Sequence, residues 1–104
     1  MREKPVFGDS WSDLRGGGLS ERQQREALAR ELRAEVAIGH PLHGQRAAII
    51  AQSSAADDII VELAEGGWAH VHLTWIHAAE SPPWPVTTFY ETVAALEQDL
   101  DRAT

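Results

Sequence analysis

The chain contains no cysteine, and its longest apolar runs are short. The absence of cysteine excludes disulfide bonds, thiolate metal sites and a cysteine nucleophile, and it fits a reducing compartment. No apolar run approaches the roughly 18 residues that a membrane-spanning helix needs. No apolar stretch follows the charged N-terminus, so we expect no signal peptide. We therefore predict a cytoplasmic protein without a membrane partner.

Basic residues are nearly absent from the second half of the chain. Residues 47–104 contain nine Asp and Glu but only one basic residue, Arg102, and the whole chain carries a net charge of −7. Binding to nucleic acid requires clustered Lys and Arg that displace counterions. The arginines of the first half alternate with glutamates along a predicted helix, where they form intrahelical pairs. We therefore expect no nucleic-acid partner, and charge complementarity favours a basic protein partner.

Length and composition predict one modest core, because the chain has 104 residues, of which 43% are hydrophobic and 24% charged. Residues 1–19 are rich in Gly, Ser and Asp, which indicates a flexible N-terminal tail followed by a single α+β domain over 20–104. Trp11 lies within this tail. It either packs onto the domain or anchors a partner, and we favour packing.

The spacing of apolar residues predicts the elements of this domain. A helix over 20–38 begins at a capping box formed by Ser20 and Gln23. A final helix begins after either Thr88 or Thr92. Strands are predicted over 46–52, 58–64, 68–76 and, in a shorter form, 86–89. The expected fold is an antiparallel sheet of three to four strands with the N- and C-terminal helices packed on one face, in the order α-β-β-β-(β)-α.

The sequence Glu65-Gly66-Gly67 predicts a three-residue loop between the second and third of these strands. Glycine supplies the left-handed conformation that such loops need. In the resulting register Glu62 lies opposite His70, and Ile60 lies opposite His72. The face of the sheet turned away from the helices then presents a candidate binding surface made of Ile60, Glu62, Trp68, His70, His72 and Thr74.

Two interpretations of this face are open. His70 and His72 point to the same side of a strand, and Glu62 would complete three ligands for Zn²⁺ or a related divalent metal, as in a metal-dependent enzyme. Alternatively, the face is a half-exposed sheet surface on which Glu62 accepts a hydrogen bond from His70. We favour this second interpretation, with no cofactor and no catalytic residues.

The segment Pro82-Pro83-Trp84-Pro85 also has two interpretations. It presents a polyproline ligand to a WW- or SH3-like partner, or it covers the edge of the sheet and inserts Trp84 into the core. We favour insertion, because prolines at an edge also prevent sheet-to-sheet aggregation.

Several short motifs resemble a set of small uncharacterised bacterial proteins: Gly39-His40-Pro41-Leu42, Asp57-Asp58-Ile59, His72-Leu73-Thr74-Trp75 and Trp84-Pro85. The resemblance covers roughly residues 28–100 and implies no activity. In size, acidity and layout the chain is also similar to bacterial toxin-immunity proteins, by analogy of type. The first hypothesis is therefore a small acidic binding protein, an immunity- or antitoxin-like inhibitor of a basic partner. The alternatives are the metal-dependent enzyme and a protein that self-associates through Ile60 and Trp68.

Overall fold

In a computed structural model, which describes residues 4–54 and 56–102, five antiparallel strands form one sheet in the order in which they occur along the chain. The strands are β1 (Trp11–Asp13), β2 (Ala47–Ser53), β3 (Asp58–Leu63), β4 (Trp68–His72) and β5 (Val86–Tyr90). The helices are α1 (Leu19–Glu35), between β1 and β2, and α2 (Val93–Arg102), after β5. The α+β class and the antiparallel sheet are confirmed, with five strands where we predicted three to four.

The two helices lie on opposite faces of the sheet, whereas we predicted both on one face. Residues of α1 and one face of the sheet form the α1 core: Leu28, Leu32, Ile59, Val61, Val71 and Leu73. Residues of α2 and the other face form the α2 core: Ile60, Trp68, Tyr90, Val93, Leu96 and Leu100. Side chains alternate along a strand, so the neighbours Ile59 and Ile60 enter different cores. The continuous apolar run of β3 is typical of a strand covered on both faces, and this signal points to a helix on each side.

A short strand lies within the segment that we predicted as a flexible tail. β1 pairs with β2, and the Leu14 N–H donates a hydrogen bond to the Ile50 carbonyl at 2.9 Å. Leu14 is buried in the α1 core, and Trp11 packs against the α2 core, as we favoured. Three strand residues are too few to show a period in the sequence. The position of β1 in the sheet therefore depends on the contacts of Leu14 and Trp11 with the two cores, which the sequence pattern does not show.

The helix starts differ in how well local sequence predicts them. Gly18, in extended conformation, is the residue before α1, and no side chain caps this end. The capping box at Ser20 is therefore wrong, since Ser20 lies inside the first turn. At α2 the Thr92 hydroxyl accepts a hydrogen bond from the Ala95 N–H at 3.1 Å, so the later of the two predicted starts is right. Neither described helix is long and apolar enough to cross a membrane.

The loop between β3 and β4 has the predicted length but begins one residue earlier. The Leu63 N–H donates to the Gly67 carbonyl at 3.0 Å, so the three loop residues are 64–66. Asp58 consequently lies opposite His72, and Glu62 lies opposite Trp68. This register differs by two residues from the prediction. A shift of two leaves each side chain on its predicted face but changes its neighbours.

Candidate functional site

Helix α2 covers the centre of the predicted binding surface. Ile60 and Trp68 are only 0% and 7% exposed and belong to the α2 core. Glu62 is half-buried beside them. Thr74 lies beyond the end of β4, and its N–H donates to Glu35 of α1 at 2.9 Å. The six predicted residues therefore do not form one open face, and Ile60 and Trp68 are not available as the centre of a self-association surface while α2 is in place.

The two predicted histidines share one carboxylate, that of Asp58 rather than Glu62. Asp58 Oδ2 lies 2.7 Å from His70 Nε2, and Asp58 Oδ1 lies 2.5 Å from His72 Nδ1. Burial raises the pKa of Asp58, but the hydrogen bonds with His72 and His70 outweigh it, so this pKa lies below its usual value. The edge of the Trp11 ring packs on His70, with 5.5 Å between ring centroids. His72, whose side chain is 56% exposed, is the member of this cluster that reaches solvent.

In this geometry Glu62 neither completes the metal site of the first interpretation nor serves as the partner of His70 in the interpretation that we favoured. Within residues 4–54 and 56–102, no group of three or more histidine and carboxylate side chains is arranged to hold a metal ion. The ring nitrogens that face Asp58 are engaged by its carboxylate. Asp58 therefore holds both imidazole rings in place, and His72 is the most exposed group of the cluster.

Two buried glutamates of α1 hold the loop that follows β4. Glu35 accepts hydrogen bonds from the N–H groups of Thr74 and Trp75, at 2.9 and 2.8 Å. Glu31 accepts the N–H of His77 at 3.1 Å and lies 2.6 Å from its Nδ1. Sequence patterns did not indicate this cluster, because both glutamates lie among the alternating charges of a helix that looks solvated.

Burial and the neighbouring Glu31 raise the pKa of Glu35. The hydrogen bond with Glu35 in turn lowers the pKa of Glu31, assisted by the contacts with His77. The two carboxyl groups thus form a pair whose pKa values are shifted in opposite directions. Shifted pKa values are common at functional sites. Here the pair contacts the backbone N–H groups of residues 74, 75 and 77 and the His77 ring, which indicates a structural role.

The edge strand β5 and the segment just before it carry exposed apolar side chains. Among the described strands it pairs only with β4. Trp84, Val86 and Phe89 are 48%, 48% and 42% exposed. Trp84 is therefore not inserted into the core, and this part of the prediction is wrong.

His40 explains why the proline segment is ordered with its tryptophan outside. This buried histidine accepts the Leu42 N–H on Nδ1 at 3.0 Å, so its proton is on Nε2. Nε2 then donates to the Pro85 carbonyl at 2.8 Å. Pro85 itself is buried and anchors the segment in place of Trp84.

The three features differ in what they offer a ligand. The carboxylates of Asp58 and Glu35 form their hydrogen bonds with other groups of the protein. At β5 the main-chain groups on the outer side of the strand face no other described strand, and apolar side chains accompany them. An edge of this kind is a template for pairing with another chain. No protein-family model, curated protein or solved structure matches this chain.

Proposed function

We propose that this protein binds another protein, one with a basic surface, through the β5 edge, defined as residues 84–90. The observation that carries the proposal is the open side of β5 together with the exposed side chains of Trp84, Val86 and Phe89. Recognition by strand addition uses this combination, because main-chain hydrogen bonds supply affinity and neighbouring side chains supply specificity. Aromatic residues are also enriched where interfaces gain most of their energy.

The distribution of charge supports a basic partner. The acidic half of the sequence begins at β2 and supplies four of the five strands and helix α2. The stretch from residue 47 to residue 101 contains nine Asp and Glu and no Lys or Arg. Glu91, exposed, directly follows β5. A basic surface would be steered to this part of the protein, which includes β5, and salt would weaken the encounter.

An inhibitor of the immunity or antitoxin type is the specific form of the proposal. Such a protein needs a surface complementary to its target and no catalytic group of its own. The acidic half and the open edge are the features that meet that requirement.

The test is a pull-down from native lysate with three tagged proteins: wild type, Val86→Lys and Leu19→Lys. Val86→Lys places a charge on the open edge, which blocks pairing and repels a basic partner. Leu19 is also exposed but lies at the start of α1, so Leu19→Lys is the matched control. We expect wild type and the control to retain one basic protein at low salt and to release it at high salt. Val86→Lys should not retain it.

Retention of the same protein by Val86→Lys would contradict the β5 edge as the binding surface. Retention that is indifferent to salt would contradict the electrostatic part. Light scattering of the wild type adds a further outcome, since a dimer that Val86→Lys converts to a monomer would mean that the edge pairs with a second copy of this chain.

A further inference from the structure

A groove runs along α1 beside the segment that leads into β2. Its volume is about 560 Å³. Its apolar lining comes from both sides: Ala29, Leu32, Val36, Leu42 and Ala47. Leu32 and Leu42 are themselves part of the α1 core and are buried, so the floor of the groove is held by the fold. A volume of this size with a mostly apolar lining is typical of small-molecule sites.

Three cationic or potentially cationic side chains line the same groove: Arg33 of α1, and His43 and Arg46 of the following segment. No aspartate or glutamate lines it. Within the part of the chain that the structure describes, neither the Arg33 nor the Arg46 guanidinium forms an ion pair. Glu65 lines the adjoining smaller cleft together with Arg46, without an ion pair between them.

Arg33 and Arg46 are exposed and thus offer their guanidinium groups to a ligand of a groove whose floor is apolar. Guanidinium groups recognise carboxylates through paired hydrogen bonds, and they tolerate partial burial better than ammonium groups. From this combination we infer that the groove binds an amphipathic carboxylate, with its aliphatic chain on the apolar floor and its carboxylate at Arg33 and Arg46. This inference does not depend on the β5 edge.

The ligand class is tested by calorimetric titration with octanoate, below the concentration at which it forms micelles. Acetate supplies the head group alone, and octylammonium supplies the same chain with the opposite charge. We expect binding of octanoate and none of acetate or octylammonium. Hexanoate, shorter by two methylene groups, should bind about tenfold to fifteenfold more weakly, as the loss of two buried methylene groups implies.

The place of binding is tested with Arg33→Gln, Arg46→Gln and, as a matched control on α1 outside the groove, Arg22→Gln. Each of the first two should weaken octanoate binding about tenfold, because each removes a charged hydrogen-bond donor. Arg22→Gln should leave the affinity unchanged. The three arginines are exposed, so all three variants should fold like wild type. Circular dichroism checks this.

Amide shifts in a ¹⁵N–¹H spectrum locate the ligand independently and should concentrate in residues 42–47. No heat with octanoate at millimolar concentration would overturn the inference. It would also be overturned by equal binding of octylammonium, by unchanged affinity in both groove variants, or by shifts confined to other residues.

Discussion

The carboxylate of Glu35, fully buried on α1, accepts the backbone N–H of Trp75 at 2.8 Å. Trp75 and His77 both have φ of 60°, in the left-handed region that residues other than glycine rarely adopt. Such residues cost about 1–3 kcal/mol each and persist where the surroundings hold them. The bonds to Glu35 and Glu31 offset this cost. They also explain why β4 ends at His72, although its alternation in sequence continues to residue 76.

Replacing Glu35 by alanine is expected to lower the free energy of unfolding by about 3 kcal/mol, because two half-buried N–H groups lose their acceptor. Urea unfolding at neutral pH measures the change. Glu26→Ala, at an exposed position of the same helix, should change the value by no more than about 0.5 kcal/mol. Equal effects of the two substitutions would mean that Glu35 does not hold the loop.

The hydrogen bonds of Asp58 lead us to expect that the stability of the protein depends on pH. Its pKa in the folded protein is lowered from the ordinary 3.8, so its ionised form stabilises the fold above pH 3.8. This contribution is lost as the pH falls below 3.8 and through the lowered pKa. Asp58→Asn should therefore cost about 1–2 kcal/mol at neutral pH, and its difference from wild type should shrink in acid.

Unfolding of both proteins in urea between neutral pH and pH 3 checks the prediction. Asp57→Asn, at the exposed neighbouring position, should unfold like wild type at neutral pH. A difference between wild type and Asp58→Asn that stays constant down to pH 3 would mean that the hydrogen bonds with His70 and His72 do not involve the ionised carboxylate.

Substitutions at three glycines distinguish the cost of backbone strain from the cost of a steric clash. Gly67 has φ of 86°, and a Cβ there would lie 2.8 Å from the Tyr90 carbonyl oxygen. Gly66 also has a positive φ, but its Cβ would meet no atom within 4 Å. We expect Gly67→Ala to cost about 3 kcal/mol and Gly66→Ala about 1 kcal/mol.

Gly17→Ala is the control, since Gly17 has neither a positive φ nor a neighbour within 4 Å, and it should be nearly neutral. Thermal unfolding ranks the three variants. Similar losses for Gly66→Ala and Gly67→Ala would show that the contact with β5 contributes little.

A substitution at Leu14 tests whether the N-terminal segment is a strand of the fold or a tail. Its side chain is buried in the α1 core, so Leu14→Ala should lower the free energy of unfolding by about 3 kcal/mol. Val6, which is exposed, provides the control substitution Val6→Ala, expected within about 0.5 kcal/mol of wild type. If residues 1–19 were a tail, both substitutions would be neutral in urea unfolding.

Local periodicity in the sequence determined where most elements lie. Strands β2 to β5 and helices α1 and α2 each fall within a few residues of the predicted ranges, because apolar spacing reflects the faces that one element buries. Alternation also placed His70 and His72 on one face of the sheet. The acidity of the second half is likewise a property of sequence alone.

Contacts between distant residues decided the rest. Which carboxylate meets the two histidines depends on register, and a loop one residue earlier brought Asp58 to them in place of Glu62. The exposure of Trp84 depends on the bond from His40 to Pro85, 45 residues apart in the chain. The face that α2 covers was equally a matter of tertiary structure, since an apolar strand such as β3 is compatible with a helix on either side. Sequence patterns report which residues are buried, whereas the partner that buries each of them is chosen by the packing of the whole chain.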